Sequence, residues 1–173
     1  GKNVDTLGYG FPRMRARWCT KNLKTIPIRE HTSRIKKNGY TIIHYVGIAY
    51  DEQERVKDAN YPLVDWKITE ADALAFCKSK GFTWGGLYDI FHRVSCWCCP
   101  LQSLDECRNL QANFPVLRNT IIEWEKKTLN NFRHDYSARE LTIRFEYEKE
   151  CLARGESITS RTFFNSLYAK LGR

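Results

Sequence analysis

Three cysteines within four residues, Cys96, Cys98 and Cys99 in Arg93-Val-Ser-Cys-Trp-Cys-Cys-Pro100, constrain this chain more than any other feature. Packing does not call for so many thiols in one short loop, whereas soft-metal ligation does. A fourth ligand must then come from another segment. Cys19 in Arg17-Trp18-Cys19-Thr20 is the best candidate, because it also follows an Arg and a Trp and lies in a basic loop rather than on an apolar face. The expected fold therefore joins two distant segments at a metal site.

Cys96 and Cys99 have the Cys-x-x-Cys spacing that lets two thiolates face one ion from a single turn, and Cys98 joins them only if the backbone bends sharply. Zinc needs four sulfurs at about 2.3 Å in a tetrahedron. An iron–sulfur cluster is larger and accepts a looser spread of ligands. The two cofactors, a 4Fe–4S cluster or zinc, both stay open. Cys107 is the reserve ligand, although it falls inside a helix begun at Ser103 and reads more naturally as core. Four thiolates around Zn²⁺ leave a net charge of about −2 by formal addition. Arg17, Lys21, Lys24 and Arg93 flank the two cysteine segments and offset it, while Trp18 and Trp97 limit water around the site. The alternative is a set of free thiols or a redox pair.

The formal net charge of +8, from 28 basic against 20 acidic residues, favours anionic partners: nucleotides, sulfate or nucleic acid. A 42% hydrophobic and 13% aromatic content over 173 residues is enough for a packed core and excludes a disordered chain. Seven cysteines, no secretory signal pattern and no apolar run of membrane-spanning length point to a reduced, cytoplasmic protein without a membrane partner. The first residue is Gly1, and Gly-Lys-Asn-Val-Asp-Thr carries no helix or strand signal, so a piece of a longer chain is expected.

Along the chain, residues 1–25 read as a basic loop, and Pro27 opens a helix that runs to about Lys37 and stops at Gly39. Tyr40 to Ala49 is almost continuously β-branched, aromatic or apolar, which predicts a buried strand of a parallel sheet with His44 in the core. The polar stretch from Asp51 to Arg55 would then lie at the carboxyl end of that strand, where open α/β sheets bind ligands. Tyr61 to Trp66 reads as a second extended segment, and Thr69 with Asp72 as the start of a helix. After Pro100 the pattern is helical. Ser103 with Glu106 and Ser137 with Glu140 are capping boxes, Gly155 is a stop, and a last helix follows Ser160. Leu117, Ile121, Trp124, Thr128 and Phe132 predict one face of a long helix from about Pro115 to Arg133.

Several of these motifs together resemble the phosphoadenosine phosphosulfate (PAPS) reductase family, of the adenine nucleotide alpha-hydrolase-like group. They are Arg17-Trp18-Cys19-Thr20 with Lys24-x-x-Pro27, Gly47-Ile48-Ala49-x-Asp51-Glu52-x-x-Arg55, Tyr61-Pro62-Leu63 with Trp66, and Ser95-Cys96-Trp97-Cys98-Cys99-Pro100. The resemblance covers roughly residues 8–110. It implies an α/β, Rossmann-like fold, part of a doubly wound parallel sheet over residues 1–110, with a helical C-terminal extension over 111–173. It also implies an adenine nucleotide ligand (ATP, adenylyl sulfate or PAPS), with Glu52 and Arg55 at the sulfonucleotide loop and Lys24 and Arg93 at basic positions near the cluster. The family's Ser-Gly-Gly-x-Asp-Ser phosphate loop and its Glu-Cys-Gly-x-His tail are both missing from this sequence, so reduction of PAPS itself is not implied.

The function expected from this is adenine-nucleotide-dependent sulfur transfer or substrate activation, with nucleotide or anion contacts at Arg17, Lys24, Glu52, Arg55 and Arg93 and metal ligands at Cys19, Cys96, Cys98 and Cys99. The alternative is a basic, metal-stapled module that binds nucleic acid during DNA or RNA modification, since DNA phosphorothioation sulfurtransferases look similar in their Cys-Trp-x-Cys motif. The helical last third can pack on a missing N-terminal part or on a second copy of the chain as a homodimer.

Overall fold

The computed structural model describes residues 10–173, and the chain divides into two compact units: Gly1–Cys19 with Phe91–Arg173, and Thr20–Ile90. Residues 104–113 form one helix, so no break between elements falls at position 110. No helix among the described residues is long and apolar enough to cross a membrane.

In the unit Thr20–Ile90 the helical stretch Lys21–Thr25 leads into α1 (Ile26–Lys37). The chain is already helical from Trp18 onward, so the basic loop expected up to residue 25 ends earlier and Pro27 sits inside a continuous helical run rather than opening it, while Gly39 at φ +86° follows its end. The helix α2 (Glu70–Ser79) begins at Thr69, whose hydroxyl accepts from the Asp72 N–H while the Asp72 carboxylate accepts from the Thr69 N–H. That carboxylate is held below the usual range by the Thr69 hydroxyl and N–H. Asp51 accepts from the Glu70 N–H at 3.0 Å, so a second acid serves the same helix start.

The expected doubly wound, Rossmann-like parallel sheet is not there. Among the described residues there is no strand, and Tyr40–Ala49 makes one parallel bridge, between Tyr45 and Asn60. Its backbone bonds run from Val46 N–H to Asn60 and from Asn60 N–H to His44. Tyr40 and Tyr45 are 68% and 69% exposed, His44 is exposed, and only Ile48 and Ala49 of the stretch are buried. β-propensity records how well a side chain fits a pleated, half-buried surface. Without flanking strands that surface does not exist. The other expected strand, Tyr61–Trp66, contains a helical turn, Pro62–Asp65, with Pro at its start. Asp51 to Arg55 lies in a 3-10 turn, Tyr50–Arg55, rather than at a strand end.

Among its described residues the other unit carries four helices of ten residues or more: α3 (Leu104–Asn113), α4 (Pro115–Lys126), α5 (Ala138–Ala153) and α6 (Arg161–Leu171). Ser103, Ser137 and Ser160 each accept a backbone N–H three residues on, and Ser137 with Glu140 completes a reciprocal box. At Ser103 the box is half made, because the Glu106 carboxylate accepts from the Arg93 N–H instead. Cys107, Leu110, Ile121, Ala138, Leu141 and Phe145 meet in one core, and Cys151, Phe163 and Leu167 form a smaller cluster between α5 and α6.

The expected helix to Arg133 ends at Lys126. The Thr128 hydroxyl donates to the Glu125 and Asn130 carbonyls, and the Glu125 carboxylate receives the N–H groups of Phe132 and Ala138. The loop so closed drives Phe132 into the core, edge-on to Phe11 at 5.1 Å.

Two carboxylates tie this loop down. Burial opposes the charge on Asp135, but the Arg133 guanidinium, bonded at 2.8 and 3.1 Å, holds its carboxyl below the usual range. Burial likewise opposes the charge on Glu140, and the Ser137 N–H and hydroxyl with Arg173 hold it low. The folded state thus binds these protons less readily than the unfolded chain. The stability they contribute is complete above the ordinary carboxylate pKa of about 4 and is lost as pH falls through the lower folded values. Thermal melts between about pH 6 and pH 3 should show the midpoint falling, and Asp135→Asn should reduce that fall; an unchanged slope would refute the role of Asp135.

Candidate metal centre

All four predicted ligands, Cys19, Cys96, Cys98 and Cys99, belong to one compact unit. The loop that carries three of them is held from several sides. Cys99 N–H closes a turn on the Cys96 carbonyl at 3.0 Å, and the Gln102 side chain donates to the same carbonyl at 2.8 Å. Arg133, fixed by Asp135, donates to the carbonyls of Pro100 and Gln102. Trp97 lies against Trp124 with ring centres 5.3 Å apart, and Trp97 and Cys98 both pack on the core.

The segment before Cys19 is pinned to the same unit. Phe11 is buried there, its carbonyl accepts from the Asn130 amide at 3.0 Å, and the Trp18 indole donates to the Gly10 carbonyl at 3.0 Å. Gly10 has φ +71°, and a Cβ there would run into the Asn130 side chain, so glycine alone fits that close approach. A tight turn joins Arg13 and Ala16.

The consequence is electrostatic contact among the thiols. Burial pushes the Cys98 thiol up; the Cys96 thiol pushes it further, and Cys99 and Cys19 add smaller effects in the same direction. Cys19 thus lies within interaction range of the loop although it is far away in sequence. Cys96 is exposed, and Cys19, Cys98 and Cys99 are half-buried. Among the described residues, no three His, Cys, Asp or Glu side chains are drawn together closely enough to hold an ion. The donor set itself, four soft thiols with no carboxylate between them, suits zinc or an iron–sulfur cluster.

Cys107 is 1% exposed in the core, with its sulfur 3.9 Å from the Gln102 side chain; burial pushes its thiol up, against the pull of Arg133 and Arg118. Of the predicted basic positions, Arg17 and Arg93 belong to the unit with the thiols, and both are exposed. Lys24, Glu52 and Arg55 belong to the other unit, where Arg55 is spent on an ion pair with Glu52. Sequence reasoning missed Asn130 and Arg133, which hold the two cysteine segments. Their partners are backbone carbonyls, which leave no residue-type signal. Comparison with family models, with curated proteins and with solved structures gives no match.

Proposed function

We propose that this chain is a basic module that binds nucleic acid and is stapled by a metal held on Cys19, Cys96, Cys98 and Cys99. The observation that carries the reading is where the charge lies. Residues 13–37 hold nine basic residues against the single acid Glu30, a net +8 equal to that of the whole chain. No residue of Lys21–Thr25 or α1 is buried, so that charge is open to solvent. A helix this cationic, with no acidic stripe to neutralise it, suits the regular charges of a phosphate backbone. The same stretch carries Cys19, so a metal on the four thiols would fix the root of the basic segment.

Binding should be steeply salt-dependent. Three neutralised phosphates lower the binding constant of duplex DNA about 40-fold between about 50 mM and about 200 mM salt. Anisotropy titrations across that range test this. Lys21→Ala, Lys24→Ala and Arg34→Ala should each reduce the logarithmic slope by about 0.9 where the residue meets a phosphate. Salt-independent binding, or no binding at low salt, would sink the reading.

A second reading, adenine-nucleotide-dependent sulfur transfer, rests on the same four thiols, which belong to one compact unit. A cluster bound there would supply redox or sulfur chemistry, whereas zinc would supply a rigid joint. Iron and acid-labile sulfide near four per chain in protein purified without oxygen, together with ATP or PAPS binding, would favour this second reading; one zinc per chain favours the first.

A further inference from the structure

We infer that the cleft beside the cysteine loop receives one unstacked nucleotide of a single strand, an inference that rests on the nucleic-acid reading above. The cleft encloses about 480 Å³ within the unit that holds the four thiols. Met14, Pro100 and Leu101 are among its apolar lining residues, and Arg13, Arg15 and His134 line it as well. Pro100 and Leu101 follow Cys99 directly, so part of the lining continues the cysteine loop.

Both the shape and the charge select the occupant. Met14 is 73% exposed and Leu101 40%, leaving an apolar pad facing solvent where a flat base can lie. No acidic residue among the described ones lines the cleft. Arg13 and Arg15 are exposed and have no acidic partner among the described residues, whereas the neighbouring Arg133 is already committed to Asp135 and two carbonyls. His134 lies 3.8 Å from Asp135. Two guanidiniums without an acidic partner among the described residues, beside an apolar pad, complement a phosphate attached to a base. The volume suits one small ligand and excludes a duplex, so the base must come from unpaired strand. Arg13 and Arg15 also belong to the charged stretch from residue 13 to 37 that carries the nucleic-acid reading.

The test uses the full chain and three labelled oligonucleotides of equal length: a thymine single strand, the same backbone without bases, and a duplex. A Met14→Ala, Leu101→Ala double variant is measured beside Leu152→Ala, a control that trims an apolar residue outside the cleft whose exposure lies between those of Met14 and Leu101. The wild type and the control should prefer the strand with bases over the abasic strand by about tenfold. The double variant should lose that preference, keep its affinity for the abasic strand and melt as the wild type does. Equal binding of the two single strands by the wild type, or a preference that survives in the double variant, would overturn the cleft while leaving the nucleic-acid reading intact. Failure of all three to bind at low salt would remove that reading, and the inference with it.

Discussion

Glu148→Ala should lower the stability of the chain by about 3–5 kcal/mol, a large share of the roughly 5–15 kcal/mol that holds a domain together. Glu148 is 2% exposed, and both of its oxygens are engaged. Arg144 Nε donates to one at 2.7 Å, while Arg108 reaches the other through Nε at 2.9 Å and Nη2 at 2.7 Å. Arg144 also donates to the Tyr136 hydroxyl at 2.9 Å and lies over the Tyr136 ring. Truncating the carboxylate leaves Arg144, itself almost fully buried, with its charge uncompensated. Arg108 loses less, because it keeps Asp105 and stays partly exposed. Urea midpoints at neutral pH measure the effect, and Glu148→Gln, which keeps the shape and loses the charge, should fall between. A Glu148→Ala loss below about 1 kcal/mol would mean that the network contributes little to the folded state.

The second large effect concerns the thiols. Cys96→Ala with Cys99→Ala should abolish stoichiometric metal, and Cys19→Ala should reduce it to a weak residue, because a tetrahedral or cluster site missing one thiolate holds its metal far less tightly. Metal analysis after anaerobic purification reads this directly. The single variants then sort the ligands. Cys98→Ala should lose metal and Cys107→Ala should retain it, since Cys107 is enclosed in the core on α3. Metal retained in Cys19→Ala at full occupancy would show that the loop binds without the distant segment. Metal lost in Cys107→Ala with the fold intact would exchange the roles of Cys98 and Cys107.

The local grammar of the helices was readable and the charge network was not. Ser137 and Glu140 are three residues apart, so their reciprocal bonds can be inferred from the sequence before any fold is known. Glu148 sits on the same helix, but its partner Arg108 lies 40 residues away, and nothing in the residue types says that they meet. Helix α4 gives a similar lesson. The apolar spacing points to Trp124, yet Trp124 is 41% exposed while Arg118 is 2% exposed, stacked over Phe132 and donating to the Ala138 carbonyl. Burial pushes the Arg118 pKa down, and its Nε and Nη1 have no hydrogen-bond partner among the described residues. An amphipathic stripe finds apolar residues. It cannot find a buried cation.

The candidate site divides in the same way. Clustered thiols marked the loop at residues 96–99 and singled out Cys19, because residue type alone carries the chemistry of soft-metal ligands. The placement of the segment before Cys19 depends on Asn130 gripping the Phe11 carbonyl across 119 positions and on Gly10, which leaves room for the Asn130 side chain. Helix starts at Thr69, Ser103, Ser137 and Ser160 and stops at Gly39 and Gly155 were legible in the residues, since each signal is satisfied within a few positions. Only the tertiary structure decided that Tyr40–Ala49 stays outside any sheet, that α4 ends at Lys126, and that Glu148 is buried between two arginines. Caps are completed by the next turn of the same chain. Strand ladders and buried ion networks need partners that are remote in sequence, and their formation depends on which surfaces the whole fold brings together.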